Sequence, residues 1–94
     1  MRRLSVNDVK RQAASLKGQR LETLYRKAGF DVMVETNGLS YTPESSGLSR
    51  IQPWNYIERM IERFNETNSF SPSDYLEIPT RNASYLLTVI SKIK

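Results

Sequence analysis

The 94-residue chain contains no cysteine and no histidine. Disulfides, cysteine nucleophiles, zinc sites built on thiolate or imidazole, and histidine-based triads are therefore excluded. Glycine and proline are few, four of each, and there is one tryptophan. No apolar run is long enough to span a membrane. The basic start Met1-Arg2-Arg3 leads into polar residues and not an apolar segment, so no signal peptide is expected and a cytoplasmic location is. Without His or Cys, chemistry would fall to carboxylates, Lys or Tyr. Asp8 with Lys10 reads as a helix-start pair and Glu58 with Glu62 as a solvated face, and no base, nucleophile and oxyanion site assemble from them. The expectation is a protein that is not an enzyme, with no catalytic residue, no metal ligand and no cofactor.

What is present is one domain's worth of residues. An apolar content of 38% calls for a single core with polar loops. The net charge of +4 is unevenly spread: residues 1–29 carry eight cations and two acids, residues 30–80 three cations and eight acids, and residues 81–94 three cations and no acid. Two basic ends flank an acidic middle. If the ends meet in the fold, they form one positive face suited to phosphate; the opposing reading is that the acidic middle neutralises them within the molecule.

Taken in order, Ser5-Val6-Asn7-Asp8 is a Ser-x-x-acid helix start, and Val6, Val9, Ala13 and Leu16 recur at helical spacing. This predicts a helix over 6–16. Gly18 marks a break. Leu21, Leu24, Tyr25 and Ala28 predict a second helix, with Gly29 as its left-handed cap. Residues 1–29 thus read as a basic helical segment whose cations have an adequate structural role as a solvated face.

Residues 30–43 read as a β-hairpin. Phe30, Val32 and Val34 alternate with polar residues apart from Met33, and Asn37-Gly38 is a two-residue turn signal. That turn pairs Thr36 with Leu39, Val34 with Tyr41 and Val32 with Pro43. Phe30, Val32, Val34, Leu39 and Tyr41 then share the buried face. Residues 44–50 read as a polar connector; its Ser and Gly amides with Arg50 would cradle a phosphate, although the spacing matches no P-loop. Pro53 opens a helix whose apolar stripe is Trp54, Ile57, Met60, Ile61 and Phe64, with Glu58, Arg59, Glu62, Arg63 and Glu66 on the other side.

The stretch 71–93 carries the most specific functional signal. Ser71, Pro72 and Asp74 make a capping-box start for a short helix to about Glu77, stopped by Pro79. A second helix then opens at Thr80 or Arg81. Its apolar face is Ala83, Leu86, Leu87, Ile90 and Ile93, and its polar face is Arg81, Ser84, Tyr85, Thr88 and Lys92. With the helix over 54–66 this pair resembles the trihelical unit of winged-helix and other helix-turn-helix DNA-binding domains, over about the last forty residues. The turn departs from the pattern in having Pro79 and no glycine. With the chain stopping at Lys94, any wing would have to be the 30–43 hairpin. The fold class expected is α+β, one domain over 1–94, with a hairpin at 30–43 and a helix-turn-helix-like unit at 53–94.

Two functions compete. The resemblance implies duplex DNA as partner. Arg81, Ser84, Tyr85, Thr88 and Lys92 would enter a groove, with Arg2, Arg3 and Lys94 on phosphates. The alternative is a protein-interaction or inhibitor module, from a mobile element or acting as a homodimer, that presents Glu58, Glu62 and Glu66 or a hairpin edge to a protein partner.

Overall fold

The computed structural model describes residues 3–93. Its first helix, α1 (Val6–Ser15), starts where expected because Ser5 and Asp8 cap it reciprocally. Asp8 N–H donates to Ser5 Oγ at 3.2 Å, and Ser5 N–H donates to Asp8 Oδ2 at 2.9 Å. Two orphan amides of the first turn are satisfied in this way. Val9, Ala13 and Leu16 are buried. The helix ends before Gly18, which lies in the left-handed region at φ +81°.

The helix expected over residues 21–28 is not formed. Leu21–Glu22 is instead a short strand, β1, that pairs with the start of β2 (Gly29–Glu35) through Leu21↔Phe30 and Glu22↔Gly29. Thr23 closes the intervening turn: its N–H and Oγ1 both bond Ala28, its carbonyl accepts from Lys27 N–H, and Lys27 itself takes the left-handed conformation at φ 57°. Gly29 is therefore a strand residue and not a helix cap. Leu21 gains burial beside Phe30, whereas Tyr25 and Ala28 are exposed, so the helical spacing of these residues does not correspond to one buried face.

The hairpin is present, with β3 over Gly38–Pro43, but its register is shifted. The pairs are Glu35↔Gly38, Val34↔Leu39, Val32↔Tyr41 and Phe30↔Pro43. The turn is Thr36-Asn37 and not Asn37-Gly38. A slip of two residues leaves every side chain on its original face, so Phe30, Val32, Leu39 and Tyr41 are buried as expected; Val34, near the turn, is exposed. The cause is a strand that the pattern did not reveal, β4 (Arg50–Pro53), which pairs Gly38↔Pro53 and Leu39↔Gln52. A Cβ on Gly38 would lie 2.0 Å from the Gln52 carbonyl oxygen. Glycine is there so that β4 can approach, and Trp54 N–H donating to Asn37 O at 3.3 Å holds the position.

The sheet is an antiparallel meander in the order β1-β2-β3-β4. Helix α2 (Trp54–Thr67) buries Ile57, Met60, Ile61 and Phe64 and ends at Asn68, which is left-handed at φ 54°. Trp54 is half-buried. Its indole N–H donates to Thr36 O at 2.9 Å and its ring lies under Lys10 Nζ, 4.6 Å from the centroid, so it joins α1, α2 and the hairpin.

The short helix expected over 71–77 is a single 3-10 turn, η1 (Pro72–Tyr75), and Ser71 makes no side-chain cap. Tyr75, the buried residue of η1, and Ile78, just beyond it, both enter the core. Asp74 does not close a capping box; it accepts from the Ser69 hydroxyl. The last helix, α3 (Ala83–Ser91), buries Leu86, Leu87, Thr88, Val89 and Ile90 and packs on α1 and η1. Tyr85 adds a third side: its ring lies 4.7 Å from Phe30 and 5.2 Å, stacked, from Tyr41. Helix α3 is thus enclosed by the fold on most of its circumference, as expected of a helix apolar around most of its surface. Among the described residues the fold is α+β: three α-helices, one 3-10 turn and a four-stranded antiparallel sheet around one core.

Candidate functional site

The residues proposed to enter a groove do not share an open face. Thr88 has no exposed surface, and its hydroxyl donates back to Ser84 O at 2.9 Å. Ser84 is half-buried and Tyr85 is committed to the Phe30–Tyr41 ring cluster. Arg81 and Lys92 are exposed at opposite ends of α3, and Arg3 is exposed. Arg2 and Lys94 lie outside the described residues. Helical spacing distinguishes two faces but cannot tell that a sheet and two further elements cover both.

Of the alternative surface, Glu58 and Glu62 are exposed and line a shallow groove with residues 3–6. Asn65 closes one end, its amide bonding both the N–H and the carbonyl of Leu4 (2.8 and 3.0 Å). Glu66 lies 3.9 Å from Arg63, whose stronger partner is Glu77 at 2.8 Å.

The basic ends do converge. Arg20 donates to Glu44 at 2.6 Å and to Glu22 at 2.7 Å, which holds its own guanidinium pKa above the usual value. The Glu22 carboxyl is held below its usual value, first by the Arg20 hydrogen bond and charge, then by smaller attractions from Lys27 and Lys92. Lys27 and Lys92 come from the two basic segments and act on one carboxylate. With Glu22 and Glu44 among the cations, this patch is largely neutralised from within.

A less neutralised arrangement surrounds the first turn of α3. On one side is a cleft of about 510 Å³ between β4 and the 79–82 segment, with Arg50 and Arg81 at its rim and Ile51, Tyr56 and Asn82 along its walls. On the other is a cleft of about 390 Å³ lined by Tyr25, Arg26 and Ser84. Among the described residues Arg26, Arg50 and Arg81 form no ion pair, in contrast to Arg11, Arg20 and Arg63. Tyr25 is 66% exposed. Asn82, ahead of α3, lines the first cleft and Ser84, in its first turn, lines the second; the amides of Ala83 and Ser84, as first-turn amides, have no intrahelical acceptor.

The first cleft is held by a buried polar side chain. Gln52 accepts from Tyr41 Oη at 2.7 Å and donates to Thr80 Oγ1 at 3.1 Å, and Thr80 Oγ1 also accepts from Asn82 N–H at 3.1 Å. This chain of bonds fixes the segment that carries Arg81 against the strand that carries Arg50. Asn82 precedes α3 without a side-chain cap: its backbone carbonyl takes the N–H of Tyr85 and Leu86, while its side-chain Oδ1 is buried and has no hydrogen-bond partner among the described residues. Of these residues, sequence reasoning singled out Arg81 and Ser84, and Arg50 as a loop cation. Tyr56 and Asn82 carried no signal, because nothing in the pattern marked β4 or what lay beside it.

Among the described residues no cluster of three or more acidic side chains is arranged to hold a metal ion, and no helix is long and apolar enough to cross a membrane. Compared with protein-family models, with curated proteins and with solved structures, the chain matches none.

Proposed function

We propose that the protein binds nucleic acid through its phosphates, at a surface built around the first turn of α3. One observation carries this: Arg26, Arg50 and Arg81, three arginines without an acidic partner among the described residues, line the clefts on either side of that turn, with a tyrosine in each cleft. Guanidinium forks match phosphate oxygens, and the free amides of a helix N-terminus favour the same anion. An exposed aromatic beside a cation offers a base a surface to stack on. The mode differs from a helix laid lengthwise in a groove, because Thr88 is in the core; α3 meets the ligand end-on, and such contacts position the ligand more than they read sequence.

The test is a salt titration of binding to a labelled duplex, a single strand and an RNA of mixed sequence. Affinity should fall steeply with salt, and Arg26→Ala, Arg50→Ala and Arg81→Ala should each lower the log–log slope by about 0.7–0.9. Undetectable affinity for all three ligands at low salt sinks the reading.

A protein-interaction role is favoured by a different feature. Strand β1 pairs with Gly29 and Phe30, so β2 from Asp31 to Glu35 has one edge without a strand partner among the described residues, and Met33 and Val34 are exposed. Such an edge accepts another strand. Self-association in sedimentation that Val34→Lys abolishes would support this reading; a monomer at all concentrations would remove a second copy as the partner.

A further inference from the structure

We infer that the open edge of β2 takes an extended segment of a different protein, with cations at the two positions that fall opposite Asp31 and Glu35 and apolar residues between them. The inference is independent of the nucleic-acid reading. It rests on the protein-interaction reading and narrows it to the chemistry of the partner.

The backbone groups of a strand alternate between its two edges. On the β3 side Gly29 O accepts from Glu44 N–H at 2.9 Å, and Glu35 pairs with Gly38 across the hairpin turn. On the other side Thr23 N–H donates to Ala28 O at 3.0 Å, and Phe30, two residues on, pairs with Leu21. The even-numbered residues of β2 therefore direct their N–H and C=O away from β3. Strand β1 reaches no further than Phe30, so Val32 and Val34 present these groups with no strand partner among the described residues. An extended segment laid alongside can exchange hydrogen bonds with both.

The side chains decide which segment fits. Phe30 and Val32 are buried in the core, so Asp31, Met33 and Glu35 project from the opposite face of the sheet. Met33 is 48% exposed, and neither Asp31 nor Glu35 forms an ion pair among the described residues. Arg20 lines a cleft with Asp31, but its guanidinium is taken by Glu22 and Glu44. Residues directly opposite on adjacent strands stabilise the pair when their charges differ and destabilise it when they match. An incoming strand thus gains most from Lys or Arg opposite Asp31 and Glu35 and from apolar residues opposite Met33 and the exposed Val34. A second copy of β2 lacks this pattern. Phe30 is already paired with Leu21, and the Thr36 carbonyl takes the Trp54 indole. A two-fold antiparallel pair can therefore use both valines of each copy only by setting Val32 opposite Val34. That register also sets Asp31 opposite Glu35 at both ends, where the like charges repel.

The experiment titrates the intact, isotope-labelled protein with the synthetic peptide TKVIVKT and follows the backbone amide resonances. Its valines fall opposite Val32 and Val34, and its lysines opposite Asp31 and Glu35. Two control peptides separate the contributions. TEVIVET reverses the charges, and TKVIVKT methylated on both valine nitrogens keeps the charges but cannot donate to the edge. TKVIVKT should shift the Val32 and Val34 amides saturably, and each control should bind about tenfold more weakly. Asp31→Lys with Glu35→Lys should invert the preference, so that TEVIVET becomes the tighter ligand. The wild-type comparison does not depend on that variant folding. If TEVIVET or the methylated peptide binds wild type as tightly as TKVIVKT, or the shifts lie away from β2, the inference is overturned. Equal binding of both charge forms at β2 leaves the protein-interaction reading standing. So does self-association that Val34→Lys abolishes in a protein that takes no peptide, which would assign the edge to a second copy and overturn this inference. If no peptide binds and the protein is monomeric at all concentrations, both fall.

Discussion

The Tyr41 hydroxyl donates to Gln52 Oε1 at 2.7 Å, and neither side chain has exposed surface. Tyr41 sits in β3 and Gln52 in the next strand, β4. The Gln52 Nε2 amide donates to Met60 Sδ in α2 and to Thr80 Oγ1 before α3. One glutamine thus joins four parts of the molecule inside an otherwise apolar core. Replacing it with leucine leaves the Tyr41 hydroxyl buried without a partner, which costs about 1–3 kcal/mol. Tyr41→Phe in the same chain should recover part of that loss, because removing both partners is less damaging than removing one. Chemical denaturation of the two single variants and the double tests this. Full additivity would mean that the pair is not coupled.

Tyr41 also predicts sensitivity to alkali. Burial pushes its phenol well above the ordinary value of 10.0, and burial raises Tyr75 as well. For an acid whose folded pKa exceeds its unfolded one, the folded state holds the proton more tightly. Its contribution to stability is complete below the unfolded value and is lost as pH rises above it towards the folded value. The urea midpoint should be flat in this respect at pH 8 and should fall above about pH 10. In Tyr41→Phe the fall should be shallower. An equal fall in the variant would assign the alkaline loss to other groups.

Gly38→Ala should destabilise more than a typical strand glycine substitution. The new Cβ would meet backbone, the Gln52 carbonyl at 2.0 Å, and not a movable side-chain end. Strand β4 has to retreat, and overpacking of this kind costs about 1–3 kcal/mol. Because β4 carries Arg50, the same substitution should also weaken binding at the α3 cleft. A thermal melt shift of several degrees checks the first statement; unchanged melting would show that β4 moves freely.

Thr88 and Arg81 separate two modes of ligand contact. If α3 lay lengthwise in a groove, Thr88→Val would impair binding. With Thr88 buried and its hydroxyl bonded to Ser84 O, that variant should fold and bind within about twofold of wild type, which is about 0.4 kcal/mol. Arg81→Ala, at an exposed position beside the cleft, should weaken binding and flatten its salt dependence. Impairment by Thr88→Val in a well-folded protein would restore the lengthwise mode.

Legibility in the sequence followed the range of the interactions. The capping box at Ser5 and Asp8, the apolar stripe of α2 and the buried face of the hairpin were all readable, because each depends on residues close together in the chain. The two weak strands were not. Leu21–Glu22 and Arg50–Pro53 are too short for alternation to be a signal, and each is held by the hydrogen bonds of a neighbouring strand. The candidate site shared this fate. Arg50 was visible only as a loop cation, until β4 placed it and Asn82 in one cleft.

By itself, the sequence determined the absence of thiol and imidazole chemistry, the α+β class, the limits of α1 and α2 to within one or two residues, and the separation of basic ends from an acidic middle. Only the tertiary structure decided that α3 is enclosed, that the turn falls at Thr36-Asn37, and that three arginines with no ion pair among the described residues line the clefts by one helix end. The physical reason is the same throughout. Caps and amphipathic periods are local and carry their own free energy, whereas burial, strand register and charge convergence depend on partners distant in the chain. A helix with a polar stripe has no means of specifying, from its own residues, whether water, a sheet or a ligand will face that stripe.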